Sequence, residues 1–334
     1  MPTISGKKIL ITGGAGFIGY HLARELSRDR MNRVDLVDNF VRGKKDDEVE
    51  SLSTLPNVRL IAGDLTDPAT FARLDTDYDD VYHLAAIIGV SNVIERPHEV
   101  VRVNAVATLF LLDWFTKSTC RKLLFSSTSE AYAWTQQFHP LPVPTPEEVP
   151  LALTDLANPR SSYAGSKIFG ELAVHNYCRM FGKPFTIVRY HNVYGPRMGY
   201  EHVIPQLFER ARGGQNPLVV YSADHRRAFC YVDDAIAMTI GAMCSPAADN
   251  QTINIGNDHE EHSIGELAQR LLIQAGIASA IEPRTAEHDP IVRRCPDITK
   301  ARELLGYQPR ITLDEGLAGT LAWYAQKFRT NEAP

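Results

Sequence analysis

The run Gly13-Gly14-Ala15-Gly16-Phe17-Ile18-Gly19 lies between a β-branched stretch, Lys8-Ile9-Leu10-Ile11-Thr12, and a segment whose apolar residues Ile18, Leu22 and Leu26 recur at helical spacing. A strand, a Gly-x-x-Gly-x-x-Gly turn and a helix in that order restrict the fold more than any other feature of the chain. Glycines at such a junction permit a tight turn, close approach of backbone N–H groups to a ligand, and close packing of helix on strand. The free N–H groups and positive dipole end of the helix then face an anion such as a pyrophosphate. A second strand, Arg33 to Asp38, ends on an acid 38 − 19 = 19 residues past Gly19. A carboxylate there accepts hydrogen bonds from an adenosine ribose and repels a 2′-phosphate, which favours NAD over NADP. Arg42, Lys44 and Lys45 stand close by and temper that preference.

The same alternation continues. Val58–Ala62, Val81–Ala85, Lys122–Ser126 and Phe185–Arg189 read as strands, and Phe17 to Asp29, Val100 to Thr116 and Ser162 to Phe181 as helices. Strands alternating with helices predict a parallel sheet covered on both faces, with right-handed crossovers. The segment 134–159 breaks the rhythm with Pro140, Pro142, Pro144, Pro146 and Pro150, a density that neither a helix nor a central strand tolerates. It reads as an extended loop, either ordered over a site or decorating the surface. Past Gly195-Pro196 the alternation becomes irregular, which suggests a smaller mixed lobe.

Lys+Arg 35 against Asp+Glu 40 gives a net charge of −5, which argues against a general nucleic-acid binder. No apolar run approaches the roughly 18 residues of a membrane span. Met1 to Lys8 has no signal-peptide core, so the expected compartment is the cytoplasm. The five cysteines (120, 178, 230, 244 and 295) are dispersed and form no Cys-x-x-Cys pair, as free thiols in a reducing compartment would be. His259-Glu260-Glu261-His262 brings no third ligand with it and reads as a charged turn, so no metal is expected.

Tyr163 and Lys167 stand at i and i+4, on one helix face. A tyrosine ionises near ~10, and a nearby ammonium together with a positively charged nicotinamide lowers that value by favouring the phenolate. Ser126-Ser127-Thr128 ends a strand at the carboxyl edge of the sheet, where open α/β folds bind ligands. The Thr128 hydroxyl is placed to hydrogen-bond the substrate oxygen that Tyr163 deprotonates.

With these residues in view, the chain resembles the extended short-chain dehydrogenase/reductases that act on nucleotide sugars, the epimerase/dehydratase family. The resemblance runs from Ile9 to about Ala325. It is carried by the glycine loop, Asp38-Asn39, Gly63-Asp64-Leu65, His83-Leu84-Ala85-Ala86, Asn104, Ser126 to Glu130, Tyr163-x-x-x-Lys167, Arg189 to Pro196, Arg227 to Asp234 and Asp297 to Ala301. It implies an α/β fold: a Rossmann-type doubly wound sheet over 1–195, carrying the insertion, and a smaller mixed α/β nucleotide-sugar lobe over 196–330, with segments free to interleave. It implies NAD as cofactor, held by Gly13, Gly16, Phe17, Ile18, Gly19, Asp38, Asn39, Asp64, Leu65, Leu84, Ala85, Ala86, Asn104, Ser126, Tyr163, Lys167, Tyr190, Asn192 and Val193. It also implies a homodimer in which two long helices from each subunit pack together.

The chemistry implied starts with Tyr163 taking the proton of the sugar 4-hydroxyl while hydride leaves C4 for NAD⁺. Lys167 holds the nicotinamide ribose, and Thr128 polarises the C4 oxygen. The 4-keto sugar has several fates, of which 4-epimerisation is the expected one. Glu130, directly after Thr128-Ser129, points instead to nucleotide-uronate decarboxylation or 4,6-dehydration, as a base or electrostatic orienter. Release of the keto sugar by a 4-dehydrogenase, and a non-catalytic NAD-binding regulator, complete the alternatives. For the substrate, the resemblance implicates Arg227 at the diphosphate. Arg293 or Arg294 adds a second cation, Asn192 a contact, and His191 either a contact or a packed core histidine. Ala133 replaces the glycine usual after Tyr132, and the interval from Thr128 to Tyr163 (163 − 128 = 35) is lengthened by the insertion.

Overall fold

The computed structural model describes residues 4–285 and 291–329. Its centre is a seven-stranded sheet in which every pairing is parallel. The first six strands are β1 (Lys8–Thr12), β2 (Arg33–Asp38), β3 (Val58–Ala62), β4 (Asp80–His83), β5 (Lys122–Thr128) and β6 (Phe185–Tyr190). The seventh, Gln251–Ile255, lies at the edge beside β6, giving the order 251–255, β6, β5, β4, β1, β2, β3. Side chains along a strand alternate between faces. In β1, Ile9 and Ile11 enter the core on one face and Leu10 the core on the other. In β5, Leu124 goes to the first core, and Leu123 and Phe125 to the second.

The connecting helices are α1 (Phe17–Leu26), α2 (Asp47–Ser53), α3 (Pro68–Phe71), α4 (Val90–Glu95), α5 (Pro97–Lys117), α6 (Glu130–Ala133) and α7 (Ser161–Phe181). α1 and the helix Val232–Cys244 cover one face of the sheet, α5 and α7 the other. The doubly wound arrangement is thus present. α1 stops three residues short of the expected Asp29, because the Asn32 amide takes the Leu26 carbonyl at 2.9 Å and the chain turns there. α7 runs to Phe181, where Gly182 adopts the left-handed conformation (φ 63°) suited to a helix end.

Beyond Gly195 the chain is interleaved with what precedes it. The helix Val232–Cys244 packs into the first sheet core, and the strand Gln251–Ile255 pairs with β6. The remainder forms a third core from Ile204, Leu207, Phe208, Leu267, Leu271, Leu317, Leu321 and Tyr324. The proline-rich segment forms only a short turn of 3-10 helix, Thr135–Gln137, and is otherwise irregular, with bends and turns. Thr145 exchanges backbone hydrogen bonds with Cys295 (2.8 Å) and Asp297 (2.9 Å), and Glu147 is buried. The segment is therefore anchored in the interior at Thr145 and Glu147, while Phe138 and Leu156 lie at the surface.

Candidate active site

The glycine turn is shaped by sterics. Gly13 has φ 72°, and a Cβ on Gly19 would lie 2.1 Å from the Gly13 carbonyl oxygen, so neither position takes a side chain without displacing backbone. Gly16 caps α1 in extended conformation with no side-chain partner and no acid in the first turn. Those first-turn N–H groups, Phe17 and Ile18 among them, are left for an anion. Asp38, at the end of β2, accepts from the backbone N–H of Ala15 (3.0 Å) and Phe40 (2.8 Å). Burial pushes its carboxyl up, against those two hydrogen bonds and the positive charge of Arg197. Asn39 donates to Asp64 at 3.1 Å, which joins the ends of β2 and β3. Leu65 is buried in the second core. Leu84, Ala85 and Ala86 follow β4, and the Ala85 nitrogen is what a Cβ on Gly13 would strike at 2.7 Å. Buried Asn104 holds the next loop by both Ile87 backbone groups (2.8 and 3.1 Å) and reaches Ser166 of α7 at 3.0 Å. An uncapped helix start, a carboxylate at the end of β2 and small residues between them fit an NAD dinucleotide.

Thr128 ends β5, and its hydroxyl shares a hydrogen bond with Tyr163 of α7. Burial pushes the Tyr163 phenol up to about 12; the Thr128 bond and the Arg42 charge work against this, and Glu130 works with it. Lys167 is buried and donates to the Ser126 carbonyl at 2.7 Å, with its nitrogen 5.1 Å from the Phe125 ring centre. Burial lowers its pKa to about 8, against the attraction of Glu171. Lys167 is not among the charges that reach the phenol. The amine is committed to Ser126, and burial outweighs what positive charge reaches the phenol.

Glu130 opens α6, and its carboxylate is ion-paired with the Arg294 guanidinium. Arg293 turns the other way and holds Glu261 through two hydrogen bonds (2.6 and 2.8 Å). Of the two arginines, then, Arg294 reaches Glu130. Beneath Thr128 lies a buried network that sequence reasoning missed. Ser127 donates to Glu171, and Glu171 grips Arg189 through both oxygens (2.9 and 2.6 Å). Arg189 also donates to the Tyr132 hydroxyl (2.7 Å) and the Glu147 carbonyl (3.0 Å). The only sequence signal for Glu171 is its place one turn beyond Lys167 and two beyond Tyr163.

Other expected contacts sit further off. The Tyr190 hydroxyl pairs with Thr239 (2.8 Å), on the face of the sheet opposite α7. Asn192, with φ 39°, donates to the Ala228 carbonyl (3.2 Å), and Val193 pairs with Cys230. Arg227 is buried and donates to the Arg226 (2.9 Å) and Val292 (3.2 Å) carbonyls. His191 is buried, shares a hydrogen bond with Asn254 (3.1 Å) and packs beside Tyr132. It lines a small cleft with Ser129, Thr145 and Arg294. In the His259–His262 run, His262 pairs with Glu260 (2.8 Å) while Glu261 serves Arg293.

Sheet order, glycine turn and the Thr–Tyr–Lys set together define an NAD-dependent enzyme of the short-chain dehydrogenase/reductase type. A sequence profile described as the NAD dependent epimerase/dehydratase family matches residues 9–256, and the chain belongs to that family. It is 35% identical over 329 residues to a UDP-N-acetyl-alpha-D-glucosaminuronate decarboxylase of Bacillus cytotoxicus, covering 96% of this chain and 98% of that protein. It is 34% identical to UDP-glucuronic acid decarboxylase 5 of Arabidopsis thaliana, covering 94% and 88%. Among solved structures, a Bacillus cereus UDP-glucuronic acid 4-epimerase in complex with UDP-glucuronic acid and NAD superposes with a TM-score of 0.84 at 28% identity, covering 96% and 99%.

Proposed function

We propose that the protein decarboxylates a nucleoside-diphosphate hexuronate through a 4-keto intermediate. The observation that carries this reading is the Glu130–Arg294 pair beside Thr128 and Tyr163. A neutral hexose gives a guanidinium nothing to neutralise, whereas a C6 carboxylate does, in the two-pronged geometry arginine favours. The decarboxylase names of the relatives above support the same reading.

NAD, held by the glycine turn and Lys167, would supply the hydride acceptor for C4 and the donor that restores it. Tyr163 takes the 4-hydroxyl proton, and Thr128 hydrogen-bonds the same oxygen. Once C4 is a ketone, the C5–C6 bond electrons flow to the C4 oxygen as carbon dioxide leaves. Tyr163, now protonated, and Thr128 donate to that developing oxyanion. Arg294 holds the carboxylate until it leaves. With Arg294 on the substrate, Glu130 takes a proton from solvent and passes it to C5. Tyr163 then returns its proton to the C4 oxygen. The net change is hexuronate plus one proton giving pentose plus carbon dioxide. Arg227, Arg293, Asn192 and His191 remain the proposed further substrate contacts, with the nucleotide end on residues 196–330.

Incubation with UDP-glucuronate and UDP-N-acetylglucosaminuronate tests this. The expected product is lighter by one carbon dioxide, and Arg294→Met forms it about a hundredfold more slowly. A product of unchanged mass with inverted C4 stereochemistry would replace this reading with 4-epimerisation, which the Bacillus cereus likeness favours.

The proposed assembly is a homodimer formed through α5 and α7. These helices pack side by side and leave Val101, Phe169 and Leu172 exposed, Leu172 at 60%. Light scattering is expected to give twice the chain mass, and Leu172→Asp to give one chain mass; a monomeric parent protein would overturn the proposal. No helix among the described residues is long and apolar enough to cross a membrane. The cysteines among them are unpaired, which supports work in a reducing cytoplasm.

A further inference from the structure

Arg197 is a buried arginine in the left-handed backbone region, φ 68°. Side chains other than glycine's rarely occupy that region, and surrounding contacts must hold them there. Here the contacts are all to the cofactor loops. Its Nη1 donates to the carbonyls of Ala15 (2.9 Å) and Gly16 (3.3 Å), inside the glycine turn. Its Nη2 donates to the Lys44 carbonyl (3.1 Å), and its Nε to Asp46 (2.9 Å) at the cap of α2. The guanidinium lies 4.6 Å from the Tyr20 ring centre on α1, and its charge reaches Asp38.

The peptide bond is planar and trans, so a carbonyl and the N–H that follows it point in opposite directions. The Gly16 carbonyl already accepts the Tyr20 N–H of α1 (2.9 Å), and Arg197 adds a second donor, so the two together hold the Phe17 N–H on the other side, at the open start of α1. Both hydrogen bonds polarise that peptide and make its N–H a better donor. The chain around Arg197 is itself fastened. The Pro196 carbonyl is bound to His21 of α1 (2.9 Å), and the Met198 carbonyl accepts from Tyr324 of the helix Leu313–Arg329. Trp323, the neighbour of Tyr324, donates to Glu48 of α2 (2.8 Å), and Glu48 lies 3.6 Å from Arg197.

We propose that Arg197 is a positioning residue of the phosphate cradle: it sets the Gly16–Phe17 peptide for a dinucleotide pyrophosphate and ties the cradle to the C-terminal helix, so that bound cofactor leaves slowly. The proposal concerns the cofactor alone and stands whatever the substrate proves to be.

The test measures NAD⁺ affinity by calorimetry and NADH release by stopped-flow fluorescence, on the full chain and without substrate. Arg197→Met is expected to weaken NAD⁺ binding about tenfold or more and to speed NADH release by a similar factor. Arg197→Lys recovers only part of the loss, because a single ammonium cannot serve three carbonyls and Asp46 together. Tyr324→Phe, which leaves every cradle residue in place, is expected to speed NADH release severalfold. Folded Arg197→Met that binds NAD⁺ within twofold of the parent would overturn the proposal. So would a variant whose melting temperature falls while its folded fraction keeps parental affinity and release rate. If Arg197→Met does not fold, the same criteria apply to Arg197→Lys.

Discussion

Tyr163→Phe is expected to lower turnover about a thousandfold or more while NAD⁺ binds as in the parent protein. Removal of a positioned proton carrier costs roughly 10²–10⁴-fold. Tyr163 is asked to serve twice, once taking the proton and once returning it. Its hydroxyl shares a hydrogen bond with Thr128, and the ring remains in the phenylalanine variant, so the packing of α7 is kept. The acid–base state of the phenol sharpens the prediction. Burial places it at about 12, above the ordinary tyrosine value. At neutral pH the phenol then stays protonated, so NAD⁺ binding, which favours the phenolate, is expected to move its titration down. Ultraviolet difference titration of the parent protein against Tyr163→Phe should show one fewer phenol ionising above the ordinary tyrosine value in the variant. A variant retaining more than about a tenth of parental activity would remove Tyr163 from the proton path.

The second large effect is on stability. Glu171→Gln is expected to destabilise the fold by about 3 kcal/mol or more, because breaking a buried ion pair leaves the remaining charge uncompensated. Arg189 and Glu171 are each no more than 7% exposed as side chains. Glutamine keeps the shape but takes away the charge facing the guanidinium. The loss spreads, since Arg189 also holds Tyr132 and the Glu147 carbonyl, and Asn254 ties Tyr132 to His191 and Thr145. Urea unfolding measures it. The double variant Glu171→Leu/Arg189→Met should be less destabilised than the sum of its single changes, since apolar groups of similar volume remove both charges together. A change below about 1 kcal/mol for Glu171→Gln would show that the network does not hold the site in place.

The strands were legible because burial on both faces demands near-continuous apolar runs, and β1, β2, β3 and β6 lie within a residue of where those runs place them. The glycine turn was legible because its constraint is local: φ and Cβ space are set by residues a few positions apart. Tyr163 and Lys167 were legible for the same reason, by helix periodicity. Arg294 could be named only as one of two candidates, because its partner Glu130 is 164 residues away and only the folded chain decides which arginine turns inward. The path of the proline-rich segment was open for a related reason. Prolines announce that it is not regular structure, but its burial comes from Thr145 meeting Cys295 and Asp297 and Glu147 meeting Asn254, contacts with no local trace. Ser127 and Thr128 complete β5, as their place at a strand end implied, and β6 pairs with both, against Arg189 and Tyr190.

The edge strand Gln251–Ile255 bears on how such a chain can be made and recombined. The sheet that receives the cofactor lacks its last strand until residue 255 has been synthesised, so a fragment ending at residue 195 would display β6 as a bare, unpaired edge. Grafting a foreign substrate region at that point would leave the same edge uncovered unless the donor supplied a strand to match. The sequence allows one reading of where the cofactor half ends, and the hydrogen-bonded ladder sets another. Exchange between family members should therefore succeed with whole loops inside residues 196–250 or beyond 256, and fail with the C-terminal half moved as a block.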